Sequence, residues 1–392
     1  MSDFIYANLT LSYDGTNPTG YSPAIATINN NTPILDRPSD YVGSIALLNI
    51  DNFNAPLIIP LVLIDGVNTS ANTLAYKFAM GFYAGGTYKY YESYVTYVPT
   101  IQGFVPKSGS VIATQDLTTT YYYVYEYQRM LNMFNTALST ILTQLKADPG
   151  AGAFADAPVP TFYFDPVRSV ITLKASSMYF GKSPNAILAG TDLDVIQIYC
   201  NMVTTPLING ISQSTMDSFI VNNGTDTVTI TNGTGCTNCI LMYPTGANED
   251  TASPPNYLIA QQSSEELCYW STATSWQVTT NMPIAREYSS APSGSQGIGQ
   301  LPNQTQALLA DFLADSADFV AYHTSLIYSQ TNPLKMFNLI SDTAMYRVDG
   351  SIQFTDGYGR IYPLLLSQGV TCTLKYLFIK KSVYTGITSA RR

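Results

Sequence analysis

The chain has little charge. Lys, Arg, Asp and Glu together make up 11% of its 392 residues, against about a quarter in ordinary globular proteins. Surface charge normally keeps a protein soluble, so the deficit needs a compensating feature. Basic residues are the scarcer sign, 18 Lys and Arg against 27 Asp and Glu, and the net charge is −9. The basic residues are scattered, densest at Lys380-Lys381 and Arg391-Arg392, with no basic arm. Direct nucleic-acid binding through a phosphate-neutralising patch is therefore not expected. Long apolar runs are also missing. The longest, Ala55 to Ile64, falls well short of the roughly 20 residues a membrane-spanning helix needs. Met1-Ser2-Asp3 opens with an acid and polar residues follow soon after, so no secretory signal is expected.

The residues of common chemistry are equally sparse. There is one histidine, His323, in VAYHTSL, with no second to pair with it. HExxH, GxSxG, a P-loop and GxGxxG after a strand are all absent. Five cysteines, an odd number, do not make a full disulfide framework. Cys236 and Cys239 form a CxxC, but Cys200, Cys268 and Cys372 offer no second pair at zinc-ligand spacing, so the motif reads as two cysteines in a Gly-rich turn. Asp192 and Asp194 lie two apart on an expected strand, and Asp311, Asp315 and Asp318 have helical spacing. Either set could form a carboxylate dyad or hold calcium, yet nothing separates them from solvated turn acids. No catalytic, cofactor-binding or metal-ligating residue is assigned, no cofactor is expected, and the chain does not read as an enzyme.

What the chain has in quantity is hydrophobic residues, 46%, and tyrosine, 30 residues. Tyrosine joins an apolar body to a polar tip. Its excess fits a strand-rich composition, and it also fits extensive subunit contacts that are wet at the rim.

Periodicity supplies the elements. FIYANLTLSY (4–13), YVGSIALLNI (41–50) and LIIPLVLI (57–64) read as strands. Tyr76–Tyr83 and Tyr88–Val98 flank Ala84-Gly85-Gly86 as a hairpin. Tyr88, Tyr90, Glu92 and Tyr94 share one face of its second strand. From Tyr127, apolar residues at Met130, Leu131, Phe134, Ala137, Leu138, Ile141, Leu142 and Leu145 mark one amphipathic helix over 127–147, ended by Asp148-Pro149-Gly150. Thr161–Phe164 and Ser169–Leu173 form a hairpin, Leu193–Cys200 a strand, and Trp270–Thr280 a core strand. Gln304–Tyr328 is read as irregular or extended, although Leu308, Leu309, Phe312 and Leu313 have helical spacing. Ser289–Asn303 reads as an exposed loop. The stretch 346–384 reads as three antiparallel strands in a meander, with a turn at Asp356-Gly357-Tyr358-Gly359 and another at Gln368-Gly369. The pattern predicts an all-β, antiparallel jelly-roll β-sandwich carrying that single helix. The strand count exceeds one roll, so two sandwich domains are expected, 1–205 and 206–392.

Several stretches together resemble the coat proteins of non-enveloped icosahedral viruses. They are PILDRPSDYVGSIALLNI, YYYVYEYQRMLNMFNTAL, FYFDPVRSVITL, WSTATSWQVTTNMPI and the closing AMYRVDG through IQFTDGYGRIYPLLLSQGVTCTLKYLFIKK. The resemblance covers most of the chain and no single motif is diagnostic. It implies a jelly roll, a structural role in a capsid shell, and partners that are copies of itself and other capsid proteins. It brings no catalytic residues. It implies a place in the virion, with synthesis in the host cytoplasm or nucleus. The missing basic arm fits a capsid or minor capsid protein of a DNA virus better than an RNA-packaging coat. A receptor- or carbohydrate-binding β-sandwich, such as a spike that meets a host receptor, is the alternative.

Overall fold

The computed structural model of the protein describes residues 3–15, 20–51, 56–63, 72–84, 87–100, 120–167, 170–176, 178–179, 196–208, 213–214, 218–222, 227–231, 239–242, 248–250, 257–261, 273–285, 307–313, 325–329, 336–356 and 361–384. The first stretch supplies β1 (Phe4–Ser12), β2 (Tyr21–Pro23), β3 (Ile25–Asn29) and β4 (Tyr41–Asp51). The central stretch supplies β5 (Thr73–Ala84), β6 (Thr87–Thr96), the helix α1 (Tyr127–Lys146), β7 (Thr161–Asp165), β8 (Val170–Ser176) and β9 (Gln197–Asn201). It continues with β10 (Gln213–Ser214), β11 (Ser218–Asn222), β12 (Thr227–Thr231), β13 (Cys239–Met242), β14 (Asn248–Asp250) and β15 (Tyr257–Gln261). The last stretch supplies β16 (Ser275–Thr280), β17 (Ala307–Leu313), β18 (Ser325–Ser329), β19 (Met336–Asn338), β20 (Arg347–Thr355), β21 (Ile361–Pro363), β22 (Leu365–Ser367) and β23 (Thr371–Lys380).

The two ends of the chain build one pair of sheets. In β1, Ala7, Leu9 and Leu11 point inward while Tyr6, Asn8 and Thr10 point out, so period two sets which face is buried. β23 buries Cys372, Leu374, Tyr376 and Phe378 the same way and lies between β1 and β4, in the order β1-β23-β4-β18. Its ladder to β1 runs without a break from Phe4↔Ile379 to Ser12↔Thr371. The second sheet has the order β17-β16-β20-β21, with β3 also on β20. The two sheets meet where Gly350 of β20 faces Leu374 and Tyr376 of β23. There the Tyr376 hydroxyl donates to the Asp349 carbonyl at 3.1 Å.

The central stretch builds a second pair, β10-β13-β9-β5-β6 and β14-β15-β8-β7, with α1 packed on β5, β6 and β7. Among the described residues no strand ladder joins the end-built sheets to the central ones.

Several expectations need correction. The division at 205 does not follow the pairing: β4 pairs with β23, β8 with β15, and β9 with β13, so ladders cross that point in both pairs of sheets. The described residues 204–208 follow β9, and β10 returns to the same sheet, so this point lies within the central stretch and is not its end. The closing meander is also split. β20 pairs with β21, but β22 pairs with β2 and β23 crosses to the opposite sheet. LIIPLVLI is not a strand. Pro56 and Pro60 remove ladder donors, and the described residues 57–63 make isolated bridges, Ile58↔Val124 and Val62↔Leu74, and no named strand. The reading of 304–328 as irregular or extended agrees with its described residues, which fall on strands β17 and β18, the residues with helical spacing on β17.

Candidate functional site

The residues weighed for chemistry do not converge. His323, Asp192, Asp194, Asp315, Asp318, Cys236, Cys268 and the Ser289–Asn303 loop lie outside the described residues. Asp311, on β17, accepts from the Ser275 hydroxyl at 2.5 Å. Cys200 is buried, and burial pushes its thiol up to about 12, which leaves it an inert core group. Among the described residues no cluster of His, Cys, Asp and Glu could hold a metal ion. No helix among them is long and apolar enough to cross a membrane.

Ten of the described tyrosines are buried. Tyr97, Tyr179, Tyr362 and Tyr376 are fully buried. Their hydroxyls donate to the Tyr121 carbonyl (2.6 Å), the Pro158 carbonyl (2.7 Å), Asp356 Oδ2 (2.9 Å) and the Asp349 carbonyl. Tyr88 and Tyr199 share Gln197 Oε1, each at 2.9 Å, across β6 and β9. Burial pushes the Tyr97, Tyr199 and Tyr376 phenols up, so each stays a protonated donor. At these positions tyrosine fills a core that must also satisfy backbone carbonyls.

The helix is the best-defined constructed feature. Its buried stripe runs Met130, Leu131, Phe134, Ala137, Leu138, Ile141, Leu142 and Leu145. Phe134 sits between the sheets, its ring 5.1 Å from Phe78 of β5 and 6.1 Å from Phe162 of β7. At 100° per residue, Gln128 and Asn135 lie along one border of this stripe and Arg129 and Met133 along the other. Both borders bond to backbone. Asn135 Nδ2 donates to the Phe162 carbonyl at 2.9 Å, and Asn135 Oδ1 accepts from the Phe162 N–H at 2.7 Å. Gln128 Oε1 accepts from the Phe164 N–H at 2.9 Å. On the far side Arg129 Nη2 donates to the Val98 carbonyl at 3.0 Å, and Met133 Sδ accepts from the Val98 N–H at 3.3 Å. β7 is an edge strand, and Val98 lies just beyond the edge strand β6. α1 therefore closes the opening between two sheets and satisfies free backbone groups on both sides. The sequence reading found the stripe and missed these border residues. Their signal is amides seven residues apart beside the stripe, where charged residues would be usual.

Asp148 pins the end of α1 to β6. It accepts from Lys89 Nζ (2.6 Å), the Tyr91 hydroxyl (2.6 Å) and the Gly150 N–H (2.7 Å). These bonds, Lys89's first, lower its pKa from the ordinary 3.8 to about 2. A carboxyl depressed in the folded state adds stability above its unfolded pKa and loses it as pH falls through the folded one. Acid titration followed by circular dichroism checks this. The wild-type protein is expected to lose stability between about pH 4 and about pH 2, and Asp148→Asn to show a flatter limb there. Identical acid limbs would contradict the assignment.

The outer face of the β1 sheet carries exposed apolar residues among neutral polar ones such as Asn8, Thr10 and Thr373. Tyr6 (57% exposed) pairs with Leu377, Lys375 with Leu47, and Asn49 with Ile327 (56% exposed). Lys375 places its ammonium 4.8 Å from the centroid of the Tyr6 ring.

Comparison with known proteins bears on the family of the chain. A family model described as Sputnik minor capsid protein V18/19 matches residues 5–380. The uncharacterized protein V18 of Sputnik virophage is 31% identical over 154 residues, 38% of this chain and 89% of that protein. The structural protein V19 of Sputnik virophage is 25% identical over 233 residues, 59% of this chain and 99% of that protein. A chain of the 3.5 Å cryo-EM structure of the Sputnik virophage superposes with a TM-score of 0.73 at 25% identity, covering 98% of this chain and 99% of that one. The mavirus penton protein superposes with a TM-score of 0.58 at 14% identity, covering 96% and 99%, a likeness of fold.

Proposed function

The chain belongs to the Sputnik minor capsid protein V18/19 family, and from that premise we propose that it stands at the five-fold vertices of an icosahedral shell as a closed ring of copies. It is a structural, non-enzymatic capsid protein with the jelly-roll fold of viral shells. The match over residues 5–380 carries the vertex reading. A minor component fills fewer positions than the bulk of the shell, and vertices are such positions. Copies around a rotation axis meet head to tail, each offering two different patches. The charge-poor outer face with Tyr6, Leu47, Leu377 and Ile327 suits one of those patches, because little charge must be desolvated when it is covered.

The strand pairing supports a nested organisation. One sandwich is built from both ends, 4–51 and 273–380, and a second from 73–261 is inserted within it. Its calorimetric consequence is two unfolding transitions. The net charge of −9 without a basic stripe supports a position that does not bind the genome directly. The buried free thiol at Cys200 fits synthesis in a reducing compartment, the host cytoplasm or nucleus. The alternative, a receptor- or carbohydrate-binding sandwich, gains no support from the relatives.

Light scattering on the purified 42.8 kDa chain tests the ring. The expected result is a single five-fold species free of nucleic acid. A chain that stays monomeric at every concentration and salt would contradict it.

A further inference from the structure

We propose that α1 is an edge guard: the amides of Asn135 and Gln128 occupy the free edge of β7, and without them the β7 edges of two copies pair with each other. An edge strand presents unpaired N–H and C=O groups that template pairing with another chain. β7 reads TFYFD, with four residues of high strand propensity and one charge, so little in its own sequence blocks such pairing. β8 covers one side of β7, from Thr161↔Lys174 to Asp165↔Val170. In an antiparallel ladder alternate residues direct their backbone groups away from the partner. Phe162 and Phe164 are those residues here, since their N–H groups turn to α1.

Asn135 meets Phe162 as a neighbouring peptide would, giving one N–H and taking one. A side chain that imitates a strand satisfies the edge and ends the sheet. The bonds are local to one copy, so they form before any assembly contact. If the amides are lost, the group best able to replace them is a second β7 running antiparallel. Such a pair is isologous and two-fold. It is a different contact from the head-to-tail one of a ring, so the guard limits association to the assembly contacts. Tyr163, 37% exposed, sits between the two capped residues and offers a place to block the pairing independently. A lysine there charges the edge without touching α1.

Sedimentation velocity over a concentration series tests the proposal with the full chain. Asn135→Ala is expected to add a species of twice the wild-type mass whose fraction rises with concentration. Asn135→Ala with Tyr163→Lys is expected to return to the wild-type distribution. An Asn135→Ala distribution identical to wild type would overturn the proposal, as would doubling that Tyr163→Lys leaves untouched. Where Asn135→Ala does not fold, Asn135→Asp replaces it, keeping the acceptor for Phe162 N–H and losing the donor. Hydrogen exchange on the wild-type protein gives a second readout. The Phe162 and Phe164 amides should be protected like those of β8, and exchange at loop rates would overturn the proposal.

Discussion

Phe134→Ala is expected to lower the stability of the central sandwich by about 3–5 kcal/mol, the usual cost of deleting a buried aromatic ring. Phe134 has no exposed surface, and its ring touches three others: Tyr76 at 6.2 Å, Phe78 at 5.1 Å and Phe162 at 6.1 Å. Those partners lie on both sheets, so no single side chain can move in to fill the space. The loss combines transfer free energy with a cavity that the rigid sheets keep open. In differential scanning calorimetry one of the two transitions should fall by several degrees while the other holds. A protein that unfolds in one transition, shifted as a whole, would mean that the nested sandwiches are a single cooperative unit.

Gly350→Ala is expected to act on the other transition. A Cβ at this position would lie 2.5 Å from Leu374 Cδ2 and 2.5 Å from the Tyr376 hydroxyl oxygen. Both neighbours are fully buried, and Tyr376 is held by its bond to the Asp349 carbonyl. Alanine would ordinarily gain about 0.5–1 kcal/mol over glycine in a strand. Overpacking a closed core costs about 1–3 kcal/mol, so the clash wins. The transition of the end-built sandwich should fall, with that of the central one unchanged. A rise in melting temperature would show that β20 and β23 are farther apart than the geometry gives.

Local pattern was legible in the sequence wherever one element decides its own burial. The stripe from Met130 to Leu145 fixed α1 to within a residue of its ends, and alternation identified β1, β4, the β5–β6 and β7–β8 hairpins, and β20. Partnership was not legible. Alternation in β23 says that Leu374 and Tyr376 face a core, but not that the strand passes between β1 and β4. The expected boundary at 205 failed for that reason. A turn says where the chain reverses and is silent on which strand it returns to. LIIPLVLI was read as a strand from its apolar residues, whereas in the fold the donors missing at Pro60 and at the preceding Pro56 prevail. The candidate surfaces were less legible still. Tyrosine count suggested contacts, yet many tyrosines are buried and hydrogen-bonded, and the exposed apolar face draws on Tyr6 and Ile327, far apart in sequence. Nothing in the local pattern tied Asn135 to its partner, because Phe162 is 27 positions away.

The central claim is that this chain is a minor structural subunit of an icosahedral capsid. A cryo-EM reconstruction of purified virions tests it most directly. The account predicts density at the five-fold vertices that fits two sandwiches per copy, with a 20-residue helix lying across the open side of one of them. Virions whose vertex density fits a different chain, with this one absent from the particles by mass spectrometry, would contradict it.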